Sequence, residues 1–170
     1  MMNGAFIVIL FFVVRLSAAA AEPNSLKTKL VVKEGAGVGF EQVSALAAGI
    51  DFTNTLGELK GASNRVLFNG AGVAAGDVDG NGHPDLFFCG LDTPNQLYLN
   101  SGNWKFSPSS IPDSMALPGF PTRGAVRADL NGDQSLDLVM TTVGGGLRLF
   151  INDGKGRFLE NTVEAGLEGH

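Results

Sequence analysis

Short apolar runs alternate with clusters of Gly, Asp and Asn from about residue 70 onward. The runs are Val73-Ala74-Ala75, Leu86-Phe87-Phe88-Cys89, Gln96-Leu97-Tyr98-Leu99, Ala125-Val126, Leu138-Val139-Met140-Thr141-Thr142 and Leu147-Arg148-Leu149-Phe150-Ile151. Short stretches of apolar, aromatic and β-branched residues, bounded by turn residues, read as β-strands. Several are continuously apolar, so both faces of those strands should be buried. An Asn-x-Gly turn after the third run of each set leads to Phe106 or Phe158, a fourth strand. The Gly and Asn punctuation leaves little room for helices. The exception is residues 40–48, Phe40 to Ala48, where a short helix is expected.

The pattern repeats. Gly72 to Leu86 resembles Gly124 to Leu138, with Asp77 matched to Asp129 at an offset of 52. Leu97 to Phe106 resembles Leu149 to Phe158, with Asn100 matched to Asn152 at the same offset of 52. Two separate patterns at one offset define a real repeat. Four short strands in a unit of about 50 residues is the layout of a β-propeller blade. The predicted fold class is therefore all-β, with two four-stranded antiparallel blades at residues 66–117 and 118–170 behind a lead-in segment at 22–65.

Each unit carries an acidic loop between its first two strands. Oxygen-bearing side chains fall at positions 1, 3, 5 and 9: Asp77, Asp79, Asn81 and Asp85, then Asp129, Asn131, Asp133 and Asp137. Position 7, His83 or Ser135, would supply a backbone carbonyl. Calcium takes six to eight oxygens in flexible geometry, and alternate residues of a tight loop can aim oxygens at one centre. Gly80, Gly132 and Gly82 permit the turns this requires. Three carboxylates within nine residues repel one another without a cation. Magnesium demands stricter octahedral geometry and holds its waters. The second loop is the weaker site, because Gln134 stands where the first has Gly82. The competing reading is a solvated Asx-rich turn.

The core Asp-x-Asp/Asn-x-Asn/Asp-x-x-x-Asp-Leu, at Asp77 to Leu86 and Asp129 to Leu138, resembles the FG-GAP (VCBS) repeats of integrin-α-like β-propellers. The lead-in Gly49-Ile50-Asp51-Phe52-Thr53-Asn54 and the closing Asn152-Asp153-Gly154-Lys155-Gly156-Arg157-Phe158 are similar to secreted bacterial proteins of the cartilage-acidic-protein-like, ASPIC/UnbV-associated family. The resemblance implies a calcium-stabilised propeller, usually seven-bladed, exported and used for adhesion or recognition. It implies calcium on the ten loop positions named above, in a chiefly structural role. A propeller closes with about four to eight blades, whereas two are legible here. The chain therefore reads as an N-terminal fragment whose partners include the remaining blades, or as a unit that assembles with other copies.

Composition narrows the function. The formal net charge of −5 and the lack of a basic stripe argue against nucleic acid. A single cysteine, Cys89, excludes an intrachain disulfide and a multi-cysteine zinc site, and reads as a small buried hydrophobe. Phe6 to Val14 is too short to span a membrane and is followed by Ser17-Ala18-Ala19-Ala20-Ala21. Residues 1–21 thus read as a cleaved export signal, which leaves no stable membrane span and places the protein outside the cytoplasm, secreted, periplasmic or at the cell surface. Nucleophile elbow and Ser-x-x-Lys patterns are missing, and His83 and His170 are the only histidines. The expected function is non-catalytic recognition of an extracellular protein or glycan. The alternatives are an accessory propeller of a polysaccharide- or phospholipid-degrading enzyme, or a structural spacer. Trp104, Phe106 and Tyr98 read as blade packing, and Ser107 to Ser114 as an inter-blade loop.

Overall fold

A computed structural model describes residues 42–168; the expected export signal at residues 1–21 and residues 22–41 of the lead-in lie outside that range. Among the described residues no helix is long and apolar enough to cross a membrane.

Eight strands form two four-stranded antiparallel meanders. The first sheet runs β1 (Val73–Gly76), β2 (Asp85–Phe88), β3 (Gln96–Asn100) and β4 (Phe106–Ser109). The second runs β5 (Thr122–Ala128), β6 (Asp137–Thr142), β7 (Gly146–Asn152) and β8 (Phe158–Glu160). The register repeats with the sequence: Leu86 pairs with Tyr98 in the first sheet, Leu138 with Phe150 in the second. The all-β reading, the four-strand unit and its repetition all hold. The sheets have the form of propeller blades, and they do not close into a ring among the described residues.

The helices depart from the expectation. Residues 45–49 form a turn, not a helix. Instead α1 (Glu58–Ser63) and a 3-10 turn at Arg65–Asn69 follow the lead-in, and α2 (Asp113–Ala116) follows β4. Each is too short to show a hydrophobic period. The Asn64 side chain accepts the Val66 N–H at the start of the 3-10 turn. The stretch Ser107 to Ser114 is likewise not all loop, since β4 extends to Ser109 and α2 starts at Asp113.

Alternation along the strands builds one core between the two blades. Ala74, Phe87, Cys89 and Leu97 of the first blade pack with Leu138, Met140 and Phe150 of the second, together with Met115 and Leu117. Each large side chain removed from water here contributes about 1.5–3 kcal/mol. Cys89 and Tyr98 are buried as expected, whereas Trp104 is 65% exposed and packs in neither blade. The other face of the first blade meets the lead-in. Phe52 stacks on Phe88 with ring centroids 5.0 Å apart, and the Tyr98 hydroxyl donates to Asp51 at 2.5 Å.

Polar groups stitch the seam. The Asn95 amide is buried; it accepts from the Gly90 N–H and donates to the Met115 carbonyl and the Thr122 hydroxyl. Asn152, 1% exposed, donates to the Val78 carbonyl at 2.9 Å and the Leu136 carbonyl at 3.2 Å. The Gly156 N–H reaches the same Val78 carbonyl at 2.8 Å. Asn152→Ala takes a donor from the part-buried Leu136 carbonyl and one of two from the Val78 carbonyl. We expect it to cost about 1–3 kcal/mol in urea denaturation, with an unchanged m-value.

Candidate metal centre

The first acidic loop spans the gap between Gly76 and Asp85, which are paired across β1 and β2. Its geometry is set by two carboxylates. Asp85 is fully buried at the start of β2; its Oδ2 accepts the Val78 N–H at 2.8 Å and its Oδ1 accepts the Asn100 N–H at 2.7 Å. Asp77 gathers the loop from the other side. Its Oδ1 accepts from Gly80 and Asn81, and its Oδ2 from Gly82. Gly82 takes a φ of 86°, which favours glycine.

This folding brings Asp77, Asp79 and Asp85 together, with one carboxylate oxygen of each within 4.8 Å of the others. Oxygens bound at about 2.3–2.6 Å to one calcium stand at most about 5 Å apart. The trio therefore fits a hard divalent cation. Asn81 does not join it in the same way. Its Oδ1 accepts the His83 N–H, and its Nδ2 donates to Asp79 and to the Asn100 carbonyl. The His83 side chain is exposed.

The second loop repeats the scaffold without the cluster. Asp137 is again fully buried, accepting from Leu130 and Asn152 at 2.9 Å each. Asp129 accepts from Gly132 and Gln134. The carboxylate of Asp133 turns to the Ser135 N–H and the Asn131 amide, while Asn131 Oδ1 accepts the Asp133 N–H. Among the described residues the first loop alone brings three acidic side chains within ligating distance of one another. Position 3 explains the difference, being Asp79 in the first loop and Asn131 in the second. Gln134 adopts the left-handed conformation of Gly82 with a φ of 71°. That posture costs an L-residue about 1–2 kcal/mol.

Asn100 and Asn152 belong to this device and were not read as site residues. Their backbone N–H groups hold the closing carboxylates. The signal lay in their recurrence at the repeat offset, after the third strand, where only a turn was seen.

The carboxylates titrate in opposite directions. Burial pushes Asp77 up, but the Gly82, Gly80 and Asn81 N–H groups outweigh it and hold the pKa below the ordinary 3.8. Burial raises Asp85; the Val78 and Asn100 N–H bonds only partly offset this, and the negative charge of Asp79 adds to the rise. Across the seam Arg127 of β5 is itself pushed down to about 10 by burial, with Asp85 pulling the other way.

Two four-strand meanders, each opening on an Asx-rich loop, have the form of propeller blades. Residues 77–140 match the model of the FG-GAP-like repeat, from the first residue of one loop to β6 of the next blade. No curated protein matches the chain.

The titration gives a signed prediction. Asp77 has its folded pKa below its unfolded one, so its contribution is present above pH 4 and fades as pH falls through the folded value. In chelator, Asp77→Asn should be less stable than wild type at pH 7, and the gap should be smaller at about pH 3, below the unfolded pKa. Urea midpoints at the two pH values measure it. Asp79→Asn removes the like charge beside Asp85 while leaving an oxygen for the Asn81 N–H. It should raise metal-free stability by about 0.2–1 kcal/mol, with the Asp85 carboxyl titrating lower by carbon-13 NMR.

Proposed function

We propose that the protein is an exported recognition module whose first blade loop binds calcium, and that it performs no chemistry of its own. The observation that carries this reading is the convergence of the Asp77, Asp79 and Asp85 oxygens within 4.8 Å, on a segment that matches the FG-GAP-like repeat. Asp77, Asp79 and Asp85 would hold the ion. A bound calcium supplies positive charge that cancels the repulsion among the three carboxylates and fixes the loop. Magnesium fits less well, since it keeps its waters and demands octahedral order.

The closing aspartates argue for structure over catalysis. A general acid or base must reach a substrate proton. Asp85 and Asp137 are fully buried, and each spends both oxygens on backbone N–H groups. Export rests on the apolar leader and its Ala-rich end. The partner class is an extracellular protein or glycan, and the similarity to ASPIC/UnbV-associated secreted proteins points the same way.

Melting in calcium and in excess chelator tests the metal. A ligand at a hundred times its Kd adds about 2.7 kcal/mol of apparent stability, so calcium should move the transition clearly upward. Asp77→Ala should abolish that shift, whereas Asp129→Ala should keep most of it. An unchanged melting temperature in millimolar calcium would overturn the metal reading. Binding to arrayed glycans and envelope proteins, with calcium and with chelator, tests recognition.

A further inference from the structure

Arg127 reaches from the second blade to the acidic trio of the first. It sits in β5, opposite Leu138 of β6. Its Cδ would stand 3.1 Å from a Cβ placed on Gly76, so the stem lies directly on the backbone of β1. Gly76 is paired with Asp85 across β1 and β2, and Asp77 follows it in the chain. Glycine leaves the room for this approach, since a Cβ there would also meet Leu136 Cδ1 at 2.6 Å. The guanidinium carbon stands 5.8 Å from the centroid of the Phe158 ring.

The guanidinium is held in this place without a hydrogen-bond partner. Its Nε, Nη1 and Nη2 are all buried, and among the described residues none of them makes a hydrogen bond. A guanidinium carries five N–H donors, and leaving them unmet away from water is costly. The aromatic face of Phe158 returns only part of that cost. Arg127 takes part in neither of the ion pairs found among the described residues, Lys60–Asp92 and Arg148–Glu160. Asp85 keeps both its oxygens on the Val78 and Asn100 N–H groups. Arg127 therefore acts on the trio through its field alone.

That field is present at neutral pH. Burial pushes the Arg127 pKa down to about 10, with Asp85 pulling it back, so the side chain stays a cation. Burial raises the pKa of Asp85, and the charge of Arg127 is among the influences that hold it down. The residue is peculiar to one copy of the repeat. At the offset of 52 it matches Ala75, so an arginine is no part of the pattern that the two blades share.

The charges then balance in a particular way. Asp77, Asp79 and Asp85 bring three negative charges, and Arg127 brings one positive. The two that remain are what a divalent cation cancels, whereas a trivalent one overshoots. A fixed positive charge also opposes an arriving ion in proportion to the charge of that ion.

We propose that Arg127 is the counter-charge that sets the cation specificity of the Asp77–Asp79–Asp85 site: it lowers affinity for cations in general and tips the balance from trivalent toward divalent ions. The inference rests on the calcium reading of that loop. Arg127 ligates nothing; it tunes the loop of one blade from the strand of the next.

Calorimetric titration of the full protein with calcium and with terbium(III), at fixed ionic strength and pH 7, tests it. Every protein carries Asp129→Ala, so that the first loop is read alone. Arg127→Met keeps an unbranched stem against Gly76 and Phe158 and removes the charge; Arg127→Lys keeps the charge. Arg127→Met should bind calcium about three- to tenfold more tightly. Its gain for terbium should be larger still, because three ionic charges are relieved instead of two. Arg127→Lys should stay close to its parent for both ions. Arg127→Gln is a second neutral variant and carries the test if Arg127→Met lacks a cooperative melt in chelator. A parent that binds calcium while the neutral variants bind it no more tightly overturns the proposal and leaves the calcium reading standing. So does an Arg127→Lys that tightens as the neutral variants do, since packing would then be the cause. Equal gains for the two ions overturn the divalent preference. A parent that binds no calcium overturns the calcium reading itself, and the proposal with it.

Discussion

The buried carboxylate of Asp85 ties together the ends of three strands already paired through their backbones. Asp85 opens β2, Val78 follows the end of β1, and Asn100 ends β3; one side chain bonds the last two. Asp137 does the same for Leu130 and Asn152 in the second blade. Taking a carboxylate out of water is costly unless its lone pairs are met. Two charge-assisted bonds to backbone N–H groups meet that need and are stronger than neutral ones. The latch also decides where the residue at loop position 2 goes. In the first blade that residue is Val78, whose carbonyl is then taken by Asn152 and Gly156. Loop shape and the seam between blades thus share one carboxylate.

The latch explains how one loop can serve packing and a cation together. Asp77 is stabilised as an anion by three N–H groups, whereas Asp85 is held ionised against its burial and against the charge of Asp79. The work left for a cation is therefore at Asp79 and Asp85. The hydrogen bonds within the loop order the carboxylates, so an ion meets an assembled array and contributes chiefly by cancelling repulsion.

Much of this was legible in the sequence because the repeat carries its own control. The strands, their antiparallel order and the loop positions follow from two copies of one pattern. Asp77, Asp79, Asn81 and Asp85 were found as a set from their spacing, and the three aspartates among them converge. What spacing cannot show is the direction of each side chain. Asn81 and Asp133 occupy position 5, yet both turn toward backbone groups two residues on. Trp104 was read as packing because an aromatic beside a strand usually is. Its left-handed backbone instead carries it into solvent at a position the second blade gives to Gly156. The short helices escaped notice because, at four to six residues each, they are too short to show a period.

The two loops differ in what they lean on, and that difference bears on which one favours a cation. The first loop lies against the β7–β8 turn. A Cβ on Gly80 would stand 3.7 Å from the Gly154 carbonyl, and Asp79 Cβ lies 3.7 Å from the Cβ position of Gly156. Its acidic trio is half-buried or buried, whereas Asp129 and Asp133 of the second loop are exposed. Charge interactions strengthen as water is excluded. Repulsion within the first trio is therefore larger, and so is the gain from neutralising it. The second loop keeps the same hydrogen-bonded turn, but water screens its carboxylates. One pattern written twice becomes a stronger cation site in the loop at the seam between blades than in the loop that is exposed among the described residues.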